Sequence, residues 1–319
     1  MTTPTLTTHL TRHEITVPAA PERVFALIAD ADGWPNVFGP TVHAEVAEDD
    51  GTEQLLRIWA TANGEVRHWT SRRTLDRTAR TVVFRQVVSS APVASMGGEW
   101  LITPTADGGS HVVLLHDFTA VDDDPQAVAW IEQAIDRNSA AELAALGRAA
   151  QPGPDGEELR FTFSDSLLIE GAAQDVFEFL DRADAWPQRL PHVARLDLVE
   201  QDGGVQHMEM DTRSPDGSLH TTVSVRVSFP ERRTLVYKQV KVPPVMTGHT
   251  GRWVIEPEGT GVRATSWHTV TLDPEGVRTL LGEDATVAEA KQKVRHALGT
   301  NSSTTLRHAK EFAEQRRAR

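Results

Sequence analysis

In the segment Glu65 to Leu75, strand alternation places Arg67, Trp69, Ser71, Arg73 and Leu75 on one face. Arg73 beside Trp69 is the pairing with the most chemistry in it. A guanidinium holds the oxygen of an enolate or a ketone with paired donors, and it stays charged when partly buried. His116 and His268 fall on later strand-like stretches, and imidazole moves protons near neutral pH. Asp117 follows His116 directly and points to the opposite face of a regular strand, so the two do not form a dyad. Tyr237 is the only tyrosine in the chain; alternation in LVYKQV sets it with Gln239 on one face, where the first half has Phe84 and Gln86. A phenol donates a proton where Phe84 has none to give. Trp59, Trp100 and Trp253 lie on strands as flat apolar walls, with core packing as the equal alternative. His249, in the loop PVMTGHTG before a Gly-Arg-Trp strand, is expected near a pocket mouth.

A second arginine strand behaves differently. His220, Thr222, Ser224, Arg226 and Ser228 share one face of LHTTVSVRVSF, and Val223, Val225, Val227 and Phe229 share the other. An ordinary half-buried strand turns its valines inward. If the polar face lines a cavity instead, the valine face needs a cover, which the other domain or a second chain would supply.

These residues are positioned by a repeat. Val24-Phe25 and Trp34-Pro35 recur as Val176-Phe177 and Trp186-Pro187; GGEWLI (97–102) matches TGRWVI (250–255), and RNSAAELAALGRAA (137–150) matches TNSSTTLRHAKEFA (300–313). A period near 150 is far above that of a solenoid, so whole domains are duplicated. The expected division is 1–150, a Pro/Gly-rich linker at 151–159, and 160–319. Each half reads as a strand, a helix, five or six strands separated by turns such as EDDGTE and EPEGTG, and a long amphipathic helix, Pro125 to Ala149 or about Val287 to Arg317. The implied class is α+β, with a curved antiparallel sheet gripping the last helix. Trp34 and Phe38 sit in the loop after the first helix and are expected on a pocket rim; Trp186, with Arg189 and Leu190, gives the second copy a different rim.

At 319 residues, 24% charged and 39% hydrophobic, the chain has the balance of a soluble two-domain protein. No run of about 18 apolar residues and no leader pattern is present, so a cytoplasmic protein without a membrane span is expected. Zero cysteines exclude disulfides, thiolate metal sites and cysteine nucleophiles. A net charge of −13 argues against nucleic acid as a partner. Residues 1–155 hold 11 Arg, no Lys and 21 acids, a net of −10, leaving −3 for the rest. Positive charge gathers near the C-terminus, at Lys291, Lys293, Arg295, Arg307, Lys310, Arg316, Arg317 and Arg319. A charge run of this kind usually is a solvated helix face. No P-loop, dinucleotide fingerprint or HExxH pattern occurs, and no metal or other cofactor is expected.

The order of elements and the motif VFALIADADGWP resemble the polyketide cyclase and dehydrase branch of the helix-grip superfamily, related to START and birch-pollen-allergen-like domains. The tandem copies resemble the didomain aromatase/cyclases of bacterial type II polyketide synthases. HWTSRRTLD (68–76), the Gly-x-Trp strand and the Asn-Ser of the final helix carry the likeness, which runs from about residue 10 to 315. It implies a pocket between sheet and long helix in each domain. That pocket receives a poly-β-ketone, already acted on by a ketoreductase and tethered through phosphopantetheine to an acyl carrier protein of a minimal polyketide synthase. The reaction is a first-ring aldol closure followed by dehydration, without a cofactor. The family's pocket arginine falls on Arg73 and, with Thr222 in place of Trp69, on Arg226. His116, His268 and Tyr237 are then the proton-transfer candidates, with Trp34, Phe38, Trp59, Trp69, Gln86, Trp100, Trp186, Gln239, His249 and Trp253 around the substrate. The basic C-terminal helix is expected to meet the acidic carrier. The alternative is a tandem lipid or hydrophobic-ligand carrier with no chemistry.

Overall fold

The structure is a computed structural model that describes residues 6–62, 65–151, 156, 158–213 and 217–318. The expected linker at 151–159 lies largely outside the described residues. Two compact units divide the chain at 152/153.

The first unit runs β1 (His9–Val17), α1 (Pro21–Ala29), β2 (Thr41–Asp49), β3 (Glu53–Ala62), β4 (Glu65–Asp76), β5 (Thr81–Gln86), β6 (Val93–Pro104), β7 (Ser110–Ala120) and α2 (Pro125–Ala150). The second repeats it with β8 (Arg160–Ile169), α3 (Ala173–Asp181), a one-turn α4 (Trp186–Arg189), β9 (Val193–Gln201), β10 (Val205–Arg213), β11 (Leu219–Phe229), β12 (Thr234–Lys241), β13 (Met246–Glu258), β14 (Gly261–Leu272), α5 (Pro274–Leu281) and α6 (Val287–Arg317). Each unit holds one seven-stranded antiparallel sheet, ordered β1-β7-β6-β5-β4-β3-β2 and β8-β14-β13-β12-β11-β10-β9. Six strands form a meander, and the first strand returns to pair with the last. The helices lie against one face, with the long helix packed mainly on the first strand.

Local chemistry sets the helix ends. Pro21 and Pro125 open α1 and α2 at positions where a missing N–H costs nothing. The Asp124 carboxylate accepts from the Gln126 and Ala127 amides, and Thr286 with Glu289 closes a capping box on α6. Ile131, Ile135, Leu143 and Leu146 turn one stripe of α2 into the core; Leu306, Ala309 and Ala313 do so on α6. Each large aliphatic side chain buried this way contributes about 1.5–3 kcal/mol.

Two departures from the sequence reading have physical reasons. The first strand starts as early as His9, where the sequence carries no strand mark, because the inward positions of β1 are His9, Thr11 and His13 and show no apolar alternation. The short helix α5 was not expected; Asp273 caps it, and Val277 packs into a cluster with Val245, Val270 and Val294. On β11, Arg226 is buried and so are Val225 and Val227, so both faces of that strand are covered near its end.

Candidate active site

Strand register assembles one row of side chains across each sheet on the face toward the helices. In the first unit the row is Asp49, Gln54, Arg73, Phe84, Gly98, His116, Thr11; in the second it is Glu200, Gln206, Arg226, Tyr237, Gly251, His268, Phe163. Residues paired directly across antiparallel strands point the same way, so the arginine, aromatic and histidine of each copy share a face. The two glycines are those of the Gly-x-Trp strand, whereas Gln54 and Gln206 carry no mark in the sequence.

The glycines have a steric role. A Cβ on Gly251 would stand 2.4 Å from Tyr237 Cζ and 2.5 Å from the Trp267 carbonyl, and one on Gly98 would stand 2.6 Å from Phe84 Cζ. The aromatic ring therefore lies across the glycine strand to reach the histidine beyond. Gly251→Ala is expected to push Tyr237 off His268 and to destabilise the second unit by about 1–3 kcal/mol, read as a lower thermal midpoint. An unchanged midpoint with full activity would remove the glycine from this account.

The two arginines are held differently. Arg73 is 2% exposed; Nε and Nη2 donate to Gln54 Oε1 at 2.9 and 2.7 Å, Nη1 donates to the Ile28 carbonyl at 2.9 Å, and Nη2 also donates to the Ala29 carbonyl. Its donors are spent on the exposed carbonyls at the end of α1, a helix C-terminus that welcomes a cation. Arg226, also 2% exposed, donates from Nη2 to the Leu180 carbonyl at the end of α3, at 2.6 Å. Its Nη1 has no partner among the described residues, nor do the neighbouring Gln206 Oε1 and Ser224 Oγ. Gln206 instead donates to Glu200 and the Asp181 carbonyl. Burial lowers both guanidinium pKa values to about 10, so both stay charged at neutral pH.

Around the histidines the contrast is sharper. His268 Nδ1 lies 3.0 Å from the Tyr237 hydroxyl and 3.0 Å from His249 Nε2, and its Nε2 lies 3.1 Å from Ser266 Oγ. One ring nitrogen serves one partner at a time, so Tyr237 and His249 compete for it. The ring stacks on Phe163 at 4.8 Å. Burial drives His268 down to about 4 and His249 to about 3, with His268 adding to the latter, so both are neutral; burial also raises the Tyr237 phenol, keeping its proton. In the first unit, strand register sets Phe84, Met96 and Leu114 where the second has Tyr237, His249 and Ser266. His116 meets the edge of Phe84 at 5.6 Å, its Nδ1 is buried without a partner among the described residues, and burial lowers the ring to about 4. Asp117 pairs with Arg85, away from His116, as alternation requires.

Several residues expected around the substrate have packing roles. Trp34 is half-buried and holds the end of α1: its indole N–H donates to the Ile28 carbonyl at 3.0 Å and the Arg73 guanidinium lies 5.2 Å from its ring. Trp186 repeats this with the Phe179 carbonyl at 3.0 Å and Arg226 at 5.1 Å. Phe38 is buried and stacks on Trp100, and Leu190 is buried in the second core, because a loop that closes over a helix end buries its aromatics with the core. Trp100 and Trp253 face the helices but are core residues. Trp59 belongs to the opposite face from Arg73, beside His43 and His68, since it is one residue out of phase with Ile58, which pairs with Trp69. Trp69, Gln86 and Gln239 keep the expected inward side and are half-buried.

The inner stripe of α2 also carries an acid. Glu142 falls at 100° per residue between Ile131 and Ile135 on the buried stripe of α2, and burial alone lifts its carboxyl to about 7. Its counterpart in α6, by the 137–150 to 300–313 match, is Thr305.

A family model described as polyketide cyclase / dehydrase and lipid transport matches residues 8–151 and again 160–300. The chain is 47% identical over 314 residues to the granaticin polyketide synthase bifunctional cyclase/dehydratase of Streptomyces violaceoruber, covering 98% of this chain and 96% of that one. It is 42% identical over 311 residues to the actinorhodin polyketide synthase bifunctional cyclase/dehydratase of Streptomyces coelicolor, at 94% and 96% coverage. The crystal structure of the di-domain ARO/CYC BexL from the BE-7585A biosynthetic pathway superposes with a TM-score of 0.88 at 47% identity, over 96% of this chain and 99% of that one.

Proposed function

The chain belongs to the polyketide cyclase/dehydrase and lipid transport family, and from that membership we propose an aromatase/cyclase that closes and dehydrates the first ring of a poly-β-ketone tethered to an acyl carrier protein. A ketoreductase acts on the chain beforehand, and the minimal synthase supplies it. The observation that carries the reading is the Arg226, Tyr237, His268 and His249 cluster. It places a buried unpartnered cation donor next to a phenol and a neutral imidazole, as closing a ring between two carbonyl-bearing carbons requires.

Arg226 Nη1 receives the oxygen of the enolate or of the carbonyl under attack; a buried donor left open loses about 1–3 kcal/mol until a ligand accepts from it. An α-proton leaves the chain for neutral His268, the enolate carbon bonds to the carbonyl carbon, and the imidazolium returns that proton to the new alkoxide, which becomes a hydroxyl. In the second step neutral His268 takes a further α-proton while the Tyr237 hydroxyl gives its proton to the departing hydroxyl, which leaves as water. His268 Nδ1 then returns the proton to the phenolate. Arg73 is read as a brace of the first unit, with His116 and Glu142 the titratable groups near its own row.

A tandem lipid carrier without chemistry is not favoured. Relatives that match nearly the full chain are named as bifunctional cyclase/dehydratases, and a carrier of apolar ligands gains nothing from an open buried guanidinium. The polyketide synthase machinery is the partner class that these relatives imply. No helix among the described residues is long and apolar enough to cross a membrane. The basic C-terminal run is a weaker carrier-docking surface than its composition implied: Arg316 bridges Asp175 and Glu178, Lys310 pairs with Glu314, and Arg295 with Asp165.

Reconstitution with a minimal synthase and ketoreductase tests the reading. Adding this chain is expected to divert the product to a different, aromatised first ring; an unchanged product profile overturns the assignment. Arg226→Ala is a poor probe by itself, because it also frees the end of α3; a conservative change at Tyr237 separates chemistry from folding.

A further inference from the structure

A cleft of about 440 Å³ opens on the second unit between β8 and α6, lined by Asp165, Ser166, Arg295, His296, Ser303 and Arg307, with Gly299 at its floor. From Arg295 to Arg307 it follows twelve residues of helix, about 18 Å. Three features of the cleft point to one kind of ligand.

The first is charge. Arg295 is neutralised by Asp165, at 2.6 Å, whereas Arg307 is exposed and, among the described residues, donates only to the Thr304 hydroxyl. The side chains of His296 and Ser303 have no protein partner among the described residues. The same strip in the first unit, by the 137–150 to 300–313 match carried back along the helix, holds Glu132, Asp136, Ala140 and Ala144 in place of Arg295, Gly299, Ser303 and Arg307. Duplication has therefore reversed the sign of one strip while keeping the fold.

The second is the strand edge. Among the described residues β8 pairs only with β14, and cations of α6 cover its outer carbonyls: Arg295 donates to Ser164, Lys310 to Leu168 and Arg317 to Glu170. Ser166 shares their parity, so its outward N–H and carbonyl face the cleft, between carbonyls that α6 has already taken. An extended chain with amide groups pairs with such an edge.

The third is position. At the Arg295 end the guanidinium lies 4.4 Å from the Phe163 ring, and Phe163 stacks on His268. One aromatic ring thus separates the cleft from the reacting cluster.

We propose that this cleft binds the phosphopantetheine arm of the carrier protein, its phosphodiester held by Arg307 and Ser303 and its amides laid along Ser166 of β8. The assignment rests on the carrier-tethered substrate proposed above. The first unit, acidic at the same strip, does not bind the arm.

The full chain is titrated with 4′-phosphopantetheine, with pantetheine lacking the phosphate, and with inorganic phosphate. Arg307→Ala is expected to weaken phosphopantetheine binding about tenfold and to leave pantetheine binding unchanged. Lys293→Ala, on the same helix but outside the cleft, changes neither. In turnover, Arg307→Ala is expected to raise KM for carrier-bound substrate with kcat unchanged, and to leave a short-thioester substrate free of the phosphate unaffected. Equal phosphopantetheine affinity in Arg307→Ala and the unaltered chain overturns the cleft assignment, as does binding of inorganic phosphate as tight as that of the arm. If no thioester substrate is cyclised but the arm still binds through Arg307, the cleft stands and the enzymatic reading falls.

Discussion

Tyr237→Phe is expected to lower the rate of ring aromatisation by roughly 10²–10⁴-fold, the range for loss of a positioned proton donor. It should leave the fold intact, because the first unit already carries Phe84 at the matching place against Gly98 and His116. Substituting Tyr237 makes the second row resemble the first, and His268 Nδ1 is left with His249 as its one remaining partner. Single-turnover product formation measures the effect, with the thermal midpoint recorded on the same sample. Accumulation of a cyclised but hydrated product would place the phenol in the dehydration step. The reverse change, Phe84→Tyr in the Tyr237→Phe chain, is expected to restore little: the first unit has Met96 and Leu114 where His249 and Ser266 buttress the second. A Tyr237→Phe chain that turns over within about threefold of the unaltered one would remove the phenol from the mechanism.

Glu142→Gln is expected to change how stability depends on pH. Burial lifts the carboxyl from its ordinary 4.5 to about 7 in the folded chain. The folded state thus binds the proton more tightly than the unfolded one. Its contribution is fully present below about 4.5, declines as pH rises, and is lost above about 7, a difference of about 3 kcal/mol. The glutamine chain does not lose that proton, so the stability gap between the two chains should widen between pH 4.5 and 8 and be flat outside that window. Denaturant melts at a series of pH values measure it, and parallel curves across the window would show that Glu142 is solvated. A carboxyl poised near neutrality on the inner stripe of α2 also gives the first unit an acid that the second, with Thr305, lacks. The two copies therefore differ in the kind of proton donor as well as in the number.

Much of the architecture was legible because it is written in local patterns. The duplicated Trp-Pro, the breaker-separated strands and the long amphipathic segments each leave a mark within a dozen residues, and the second copy repeats every mark. Arg73 and Arg226 were visible by alternation on one strand, and Tyr237 by its difference from Phe84. Trp59 was misplaced because an isolated strand shows two faces and not which one meets the helices. For Trp34 and Phe38 the sequence does not separate rim from core, because a loop aromatic carries no local sign of whether it is covered. Glu142 gave no signal because acids are common on amphipathic helices; only its angle within the buried stripe marks it.

By itself, then, the sequence determined two copies of one α+β domain, the residue types able to handle carbonyl oxygens and protons, and the positions at which the copies diverge. Those follow from short-range periodicity and from comparing one half with the other. The tertiary structure alone decided that Gln54 closes Arg73 while Arg226 keeps an open donor, that a glycine lets Tyr237 cross a strand to His268, and that His249 joins them. Each of these depends on strand register between segments up to about 30 residues apart, and on which carbonyls a helix end presents. Sequence spacing does not encode such contacts, since they are selected only when the whole sheet closes on its helices.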